Sequence, residues 1–175
     1  VAAFKDAFPK DKDAVTFNNM ATAIGAFERK LTTPSRWDKF LAGDKAALTP
    51  EEKQGFNVFI DAGCMACHNG PLLGGAMYQK LGLVKPYPDQ TDEGRFKVTK
   101  NDVDKMMFKV PSLRNVEKTA PYLHNGKSAA LEQTVKTMGE YELGKAVSDD
   151  ETRYIVTFLK ALTGEIPADD VKAPD

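Results

Sequence analysis

Apolar positions recur along most of this chain with the period of a helix. Between about Ala14 and Leu31 the residues Met20, Ile24, Phe27 and Leu31 fall four, three and four apart, which places them on one face of an amphipathic helix. Thr32-Thr33-Pro34-Ser35 interrupts that pattern, and a short helix over about Arg36–Leu41 is expected before Gly43. Thr49-Pro50-Glu51-Glu52 has the form of a capping box, with Pro at the first helical position and Glu three after the Thr. The helix it opens carries Phe56, Phe59 and Ile60 toward Gly63. Leu131, Val135 and Met138 share a further helical face, for which Ser128 is the expected N-cap. A second capping box, Ser148 to Glu151, opens a last helix that presents Tyr154, Ile155, Phe158, Leu159 and Leu162 and stops at Gly164.

No alternating strand longer than a few residues interrupts these patterns, so the fold class is all-α. Residues 69–127 are different: irregular and rich in Gly and Pro, a stretch too long for an ordinary loop unless it wraps something other than chain. Residues 165–175, with two Pro and four Asp/Glu, read as a polar tail.

Composition narrows the function classes. The 175 residues are 42% hydrophobic, enough for a real core, and the net charge of −1 gives no general attraction to nucleic acid or anionic membranes. No run approaches the roughly 20 apolar residues that a membrane span needs. The chain has neither a starting Met nor a signal peptide and reads as a mature or processed product.

The two cysteines carry the chemistry. They fall as Cys64-Met65-Ala66-Cys67-His68, the spacing of c-type haem attachment. Each thiol can form a thioether with one haem vinyl group, two intervening residues span the vinyl separation, and His68 is then directed at the iron. A thioredoxin-like dithiol needs a strand-to-helix setting and has no use for the adjoining His. A structural zinc site needs further ligands, and only His124 remains among the histidines. One covalently bound haem c is therefore expected, and with it an extracytoplasmic compartment, the periplasm if the source is bacterial.

The second axial ligand is open on residues alone. Candidates are His124, Met20, Met77, Met106, Met107 and Met138, whereas Met65 is confined to the attachment loop. Met138 shares a face with Leu131 and Val135, which suits burial with or without iron, and His124 also reads as a hydrogen-bonded loop residue. His124 and Met138 stay level at this point. Arg95 and Arg114 are candidate partners for the haem propionates, because a guanidinium matches a carboxylate in bidentate fashion, although surface ion pairs are the commoner fate of an Arg. Trp37, in its short amphipathic helix, is expected to pack rather than to relay electrons.

Several separated motifs resemble the bacterial di-haem cytochrome c peroxidases: Phe108-Lys109-Val110-Pro111-Ser112-Leu113-Arg114-Asn115-Val116, then Thr119-Ala120-Pro121-Tyr122 with His124-Asn125-Gly126, and later Leu143-Gly144, Ser148 and Tyr154 to Leu159. The likeness runs from about residue 15 to 164. It departs at Leu123 and Asn125, where the family often has Phe and Asp. The resemblance implies a class I cytochrome c-like haem domain with long haem-wrapping loops, the high-potential, electron-transferring half of such enzymes. Its axial ligands are His and Met, the Met fourteen residues after the motif His, which from His124 is Met138. Such ligation suits electron transfer, since a thioether favours ferrous iron and raises the potential.

The same resemblance implies an electron donor, a mono-haem cytochrome c or a copper protein, and a peroxidatic haem domain as electron acceptor. It leaves homodimerisation open. The family's second attachment motif has no counterpart here, since no further Cys exists; the resemblance makes residues 1–45 a helical segment like the end of the peroxidatic domain and its linker, and 46–164 the haem domain. A calcium ion lies between the family's haem domains, and Thr119 and Pro121 match two of its backbone ligands. A site built by this chain is incomplete, and turn formation is the favoured reading of that segment. The competing functions are a self-contained single-haem peroxidase and a haem-based ligand-binding module.

Overall fold

The computed structural model describes residues 1–172, so the last three residues of the expected polar tail lie outside the described residues. Helices dominate it: α1 (Ala2–Ala7), α2 (Phe17–Glu28), α3 (Arg36–Leu41), α4 (Pro50–Ala62), α5 (Phe96–Thr99), α6 (Leu131–Glu142) and α7 (Asp149–Lys160). The strands β1 (Tyr78–Lys80) and β2 (Met107–Lys109) form one short antiparallel ladder, with Gln79 opposite Phe108. The chain divides into two compact units, one made of residues 1–34 with the segment from Glu165, the other of Ser35–Gly164.

In the first unit, α2 begins where Thr16 turns its hydroxyl to the Asn19 N–H at 3.1 Å. It is shorter at both ends than the apolar spacing implies, and Met20, Ile24 and Phe27 are all exposed. α1 has no apolar stripe in the sequence that announces it.

In the second unit, both expected capping boxes form. Thr49 Oγ1 accepts from Glu52 N and the Glu52 carboxylate accepts from Thr49 N at 2.8 Å; Ser148 and Glu151 repeat the arrangement at α7. Glu52 is buried, and Arg36 clamps it with both terminal nitrogens. Burial pushes its carboxyl up, but Arg36 and the Thr49 N–H outweigh that and hold it below the usual range. Helices α4 and α7 cross at Gly55, where a Cβ would stand 2.1 Å from the Tyr154 carbonyl oxygen and 2.9 Å from Phe158 Cβ. Only Gly permits that approach, and it seats Phe158, with no exposed surface, among the rings of Trp37, Phe56 and Phe59 at 5.4, 5.1 and 5.5 Å.

α3, which the resemblance places with the N-terminal segment 1–45, belongs to this second unit. Trp37 is a core residue there, as its amphipathic setting implies. Ser128 does not cap α6. The helix begins three residues later after Ala130, because Ser128 exchanges backbone hydrogen bonds with Tyr122 and turns its hydroxyl to Thr134 at 2.7 Å. α7 ends at Lys160, short of Gly164, and Asn115 takes up the chain beyond it by accepting the Gly164 N–H at 2.9 Å.

A cavity between the attachment motif and helix six

Gly63 ends α4 in the left-handed conformation, φ 97°, and turns the chain into a single 3₁₀ turn over Cys64–Ala66. His68 follows, its N–H returned to the Cys64 carbonyl at 3.0 Å. Cys64, Cys67 and His68 thus all line one cavity of about 430 Å³, within the roughly 300–1,000 Å³ of ligand pockets. The rest of the wall is largely apolar. Phe59, Leu113, Ile155 and Leu159 contribute from the core, and α6 presents a stripe of Leu131, Thr134, Val135, Met138, Gly139 and Glu142.

The cysteines are free thiols. Burial pushes the Cys64 thiol up to about 11, with Lys145 only partly offsetting it. Its place just past the C-terminal end of α4 also disfavours a thiolate. A thiol kept protonated at neutral pH is a poor nucleophile, so a redox dithiol is a bad match for this pair. Two cysteines beside an apolar cavity suit a bulky planar ligand held by covalent bonds.

His68 is oriented from behind. Its Nδ1 lies 3.3 Å from the Leu73 carbonyl oxygen, which can only accept, so the proton belongs on Nδ1 and the Nε2 lone pair is left for a ligand. Burial lowers the imidazole below its ordinary value, against the pull of the Leu73 and Pro111 carbonyls, so the ring is neutral. Gly74 makes room for this: a Cβ there would stand 2.1 Å from the Pro111 oxygen and 3.2 Å from His68 Nδ1, at φ +122°. The donor set therefore fits a c-type haem: two thiols at the attachment spacing, a neutral imidazole with Nε2 available, and a thioether on the same cavity wall.

Both sixth-ligand candidates of the sequence line this cavity. Met138 sits half-buried on α6, while His124 stacks on Phe108 with ring centres 4.1 Å apart. Met20 lies in the first unit. The two arginines have other work. Arg114 makes a bidentate pair with Asp38 at 2.7 and 2.8 Å and also donates to Ser35 and to the Pro71 carbonyl. That pair holds the Asp38 carboxyl at about 2. Arg95 pairs with Asp104 at 3.3 Å and lies over the Tyr78 ring. Neither is on the cavity wall. Thr119 and Pro121 are, but no cluster of three or more acidic, His or Cys side chains that could hold a metal occurs among the described residues.

Sequence reasoning missed Gly74 and Glu142. Glu142 had a signal, for it falls four after Met138 and so continues the apolar stripe as a charge out of place. Gly74 had none, because only the fold brings Pro111 to it.

A sequence model of the di-haem cytochrome c peroxidase family matches residues 1–46. The chain is 49% identical to a cytochrome c551 peroxidase of Nitrosomonas europaea, over 98% of this chain and 51% of that protein. Identity is 47% with the cytochrome c551 peroxidase of Pseudomonas aeruginosa, over 95% and 50% of the two chains. Among solved structures, a MauG-like protein associated with microbial copper homeostasis superposes with a TM-score of 0.79 at 27% identity, over 98% of this chain and 61% of that one. The chain thus spans about half the length of the curated relatives it matches.

Proposed function

Since this chain belongs to the di-haem cytochrome c peroxidase family, whose cofactor is haem c, we propose that residues 35–164 form an electron-transfer domain carrying one covalently attached haem. The observation that carries the proposal is the convergence of Cys64, Cys67, His68 and Met138 on a single apolar cavity from two separate parts of the chain. Haem, when bound, supplies a one-electron couple. The residues do the rest. Cys64 and Cys67 would hold the macrocycle through thioethers, and His68, its Nδ1 proton committed to Leu73, would offer Nε2 to the iron. Met138 would supply a thioether to the iron, while the ring of His124 has a partner of its own in Phe108. Apolar walls around Phe59, Ile155 and Leu159 exclude water and favour the less charged, reduced state.

With His68 and Met138 both held to the iron, the haem would carry electrons and offer peroxide no place to bind. In this reading it accepts electrons from a small donor protein, a mono-haem cytochrome c or a copper protein, in the periplasm, and passes them to a peroxidatic haem domain. No helix among the described residues is long and apolar enough to cross a membrane. Acid–acetone extraction tests the attachment: haem should stay with the unaltered chain, and Cys64→Ala or Cys67→Ala should give mostly apoprotein. Release of haem from the unaltered chain would overturn the proposal.

A further inference from the structure

Glu142 is the last residue of α6 and stands on its cavity-lining stripe, four residues past Met138. The side chain is half-buried there. Its carboxylate accepts the Gly82 N–H at 2.7 Å and also takes the Leu83 N–H. Among the described residues no Lys, Arg or His forms an ion pair with it. The wall therefore holds a carboxylate whose hydrogen bonds are satisfied by backbone while its charge is not neutralised.

Gly82 and Leu83 belong to a strap, residues 81–87, that is fastened along the end of α6. The N–H groups of Val84 and Lys85 both reach the Tyr141 carbonyl at 3.1 Å. The Lys85 ammonium pairs with Glu140 and lies over the Tyr141 ring, and Tyr87 meets Tyr141 edge-on at 5.2 Å. At its start the strap is tied to the short ladder by the Leu81 N–H, which donates to Met106 O at 2.8 Å. Lys85 is thus engaged on Glu140 and Tyr141, and Glu142 is the one charged residue that α6 contributes to the cavity wall, on which Lys80 and Lys109 also stand without an ion pair to it.

We propose that Glu142 is a positioning and potential-setting residue of this site. Its two backbone hydrogen bonds clamp the strap to the helix turn beyond Met138, and its uncompensated negative charge stabilises the oxidised, more positive state of a bound haem iron. The physical basis is Coulombic: a fixed charge in a partly desolvated wall is poorly screened and acts on any change of charge inside the cavity. Burial holds the Glu142 carboxyl above its ordinary range, and the two N–H donors limit that rise. The inference rests on the cavity being a haem site with Met138 as ligand, so its test has one arm that needs no haem.

Glu142→Gln keeps the shape and an oxygen that accepts the Gly82 N–H, but removes the charge. In the haem-loaded chain it should leave the low-spin spectrum in place and shift the midpoint potential upward. Glu142→Ala should also speed hydrogen exchange at the Gly82 and Leu83 amides by about ten-fold or more, as loss of hydrogen bonds to a charged group requires. An unchanged midpoint in Glu142→Gln with the spectrum retained overturns the electrostatic role, and unchanged exchange in Glu142→Ala overturns the clamp. If the unaltered chain lacks a His/Met spectrum, the proposed function fails on that observation, while amide exchange still decides whether Glu142 holds the strap.

Discussion

The Nδ1 of His68 donates to the carbonyl oxygen of Leu73, five residues along the chain, and this one contact fixes which nitrogen of the ring faces the cavity. It depends on Gly74, the next residue, which lets the Pro111 carbonyl close on the same side of the imidazole. Gly74→Ala is therefore expected to disturb the ligand from behind. The positive φ alone costs on the order of 1 kcal/mol for a side-chain-bearing residue, and the contact at 2.1 Å adds to it. Thermal unfolding should show a lower Tm, and the haem spectrum should become heterogeneous. A Tm and spectrum equal to those of the unaltered protein would mean that the Gly74–Pro111 approach does not position His68.

Replacing Phe158 tests the core that supports the site. It has no exposed surface and touches the rings of Trp37, Phe56 and Phe59, so Phe158→Ala should lose about 3–5 kcal/mol in denaturant unfolding. A loss below about 1 kcal/mol would mean that the helix crossing at Gly55 repacks around the gap.

Acid should loosen the tie between α3 and the segment following β2. Arg114 depresses Asp38 to about 2 from 3.8, so the pair's contribution is complete above about pH 4 and is lost as pH falls through about 2. Asp38→Asn should lower stability at neutral pH and flatten the acid limb of a stability–pH curve over that window. An unchanged limb would place the acid sensitivity elsewhere.

Met138 and His124 can be separated by paired substitutions. Met138→Ala should open the haem to added ligands such as carbon monoxide, and Met138→His should keep it low-spin with a lower potential, because imidazole favours ferric iron more than a thioether does. His124→Ala should leave the low-spin spectrum intact. The reverse pattern would exchange their roles.

Much of this was legible in the chain because the relevant signals are local. Thr49 with Glu52, and Ser148 with Glu151, specify two helix starts within four residues each, and both formed. The Cys64–His68 spacing is equally local, as is the stripe that brings Leu131, Val135 and Met138 to one wall. What escaped depends on distant chain. Ser128 has the composition of a cap, yet pairing with Tyr122 claims its backbone and Thr134 its hydroxyl. Arg114 looked available for a propionate, but Asp38, 76 residues away in sequence, already holds it. The short β1–β2 ladder joins residues about thirty apart and has too few positions to show alternation. The spacing of Met20, Ile24 and Phe27 marks one face of α2, which is exposed, and the helix is shorter at both ends than the spacing implies.

As an electron-transfer domain, this chain would hold haem with a protein ligand on each side of the iron and carry electrons without binding peroxide. The visible spectrum of the oxidised and reduced protein, recorded before and after adding hydrogen peroxide, separates that role from a peroxide-binding one. The expected result is a low-spin haem, a weak sulfur-to-iron band in the oxidised state that is lost in Met138→Ala, and no new species on peroxide addition to the oxidised protein. A high-spin spectrum that changes when peroxide is added would contradict it and make this chain a peroxide-binding haem protein.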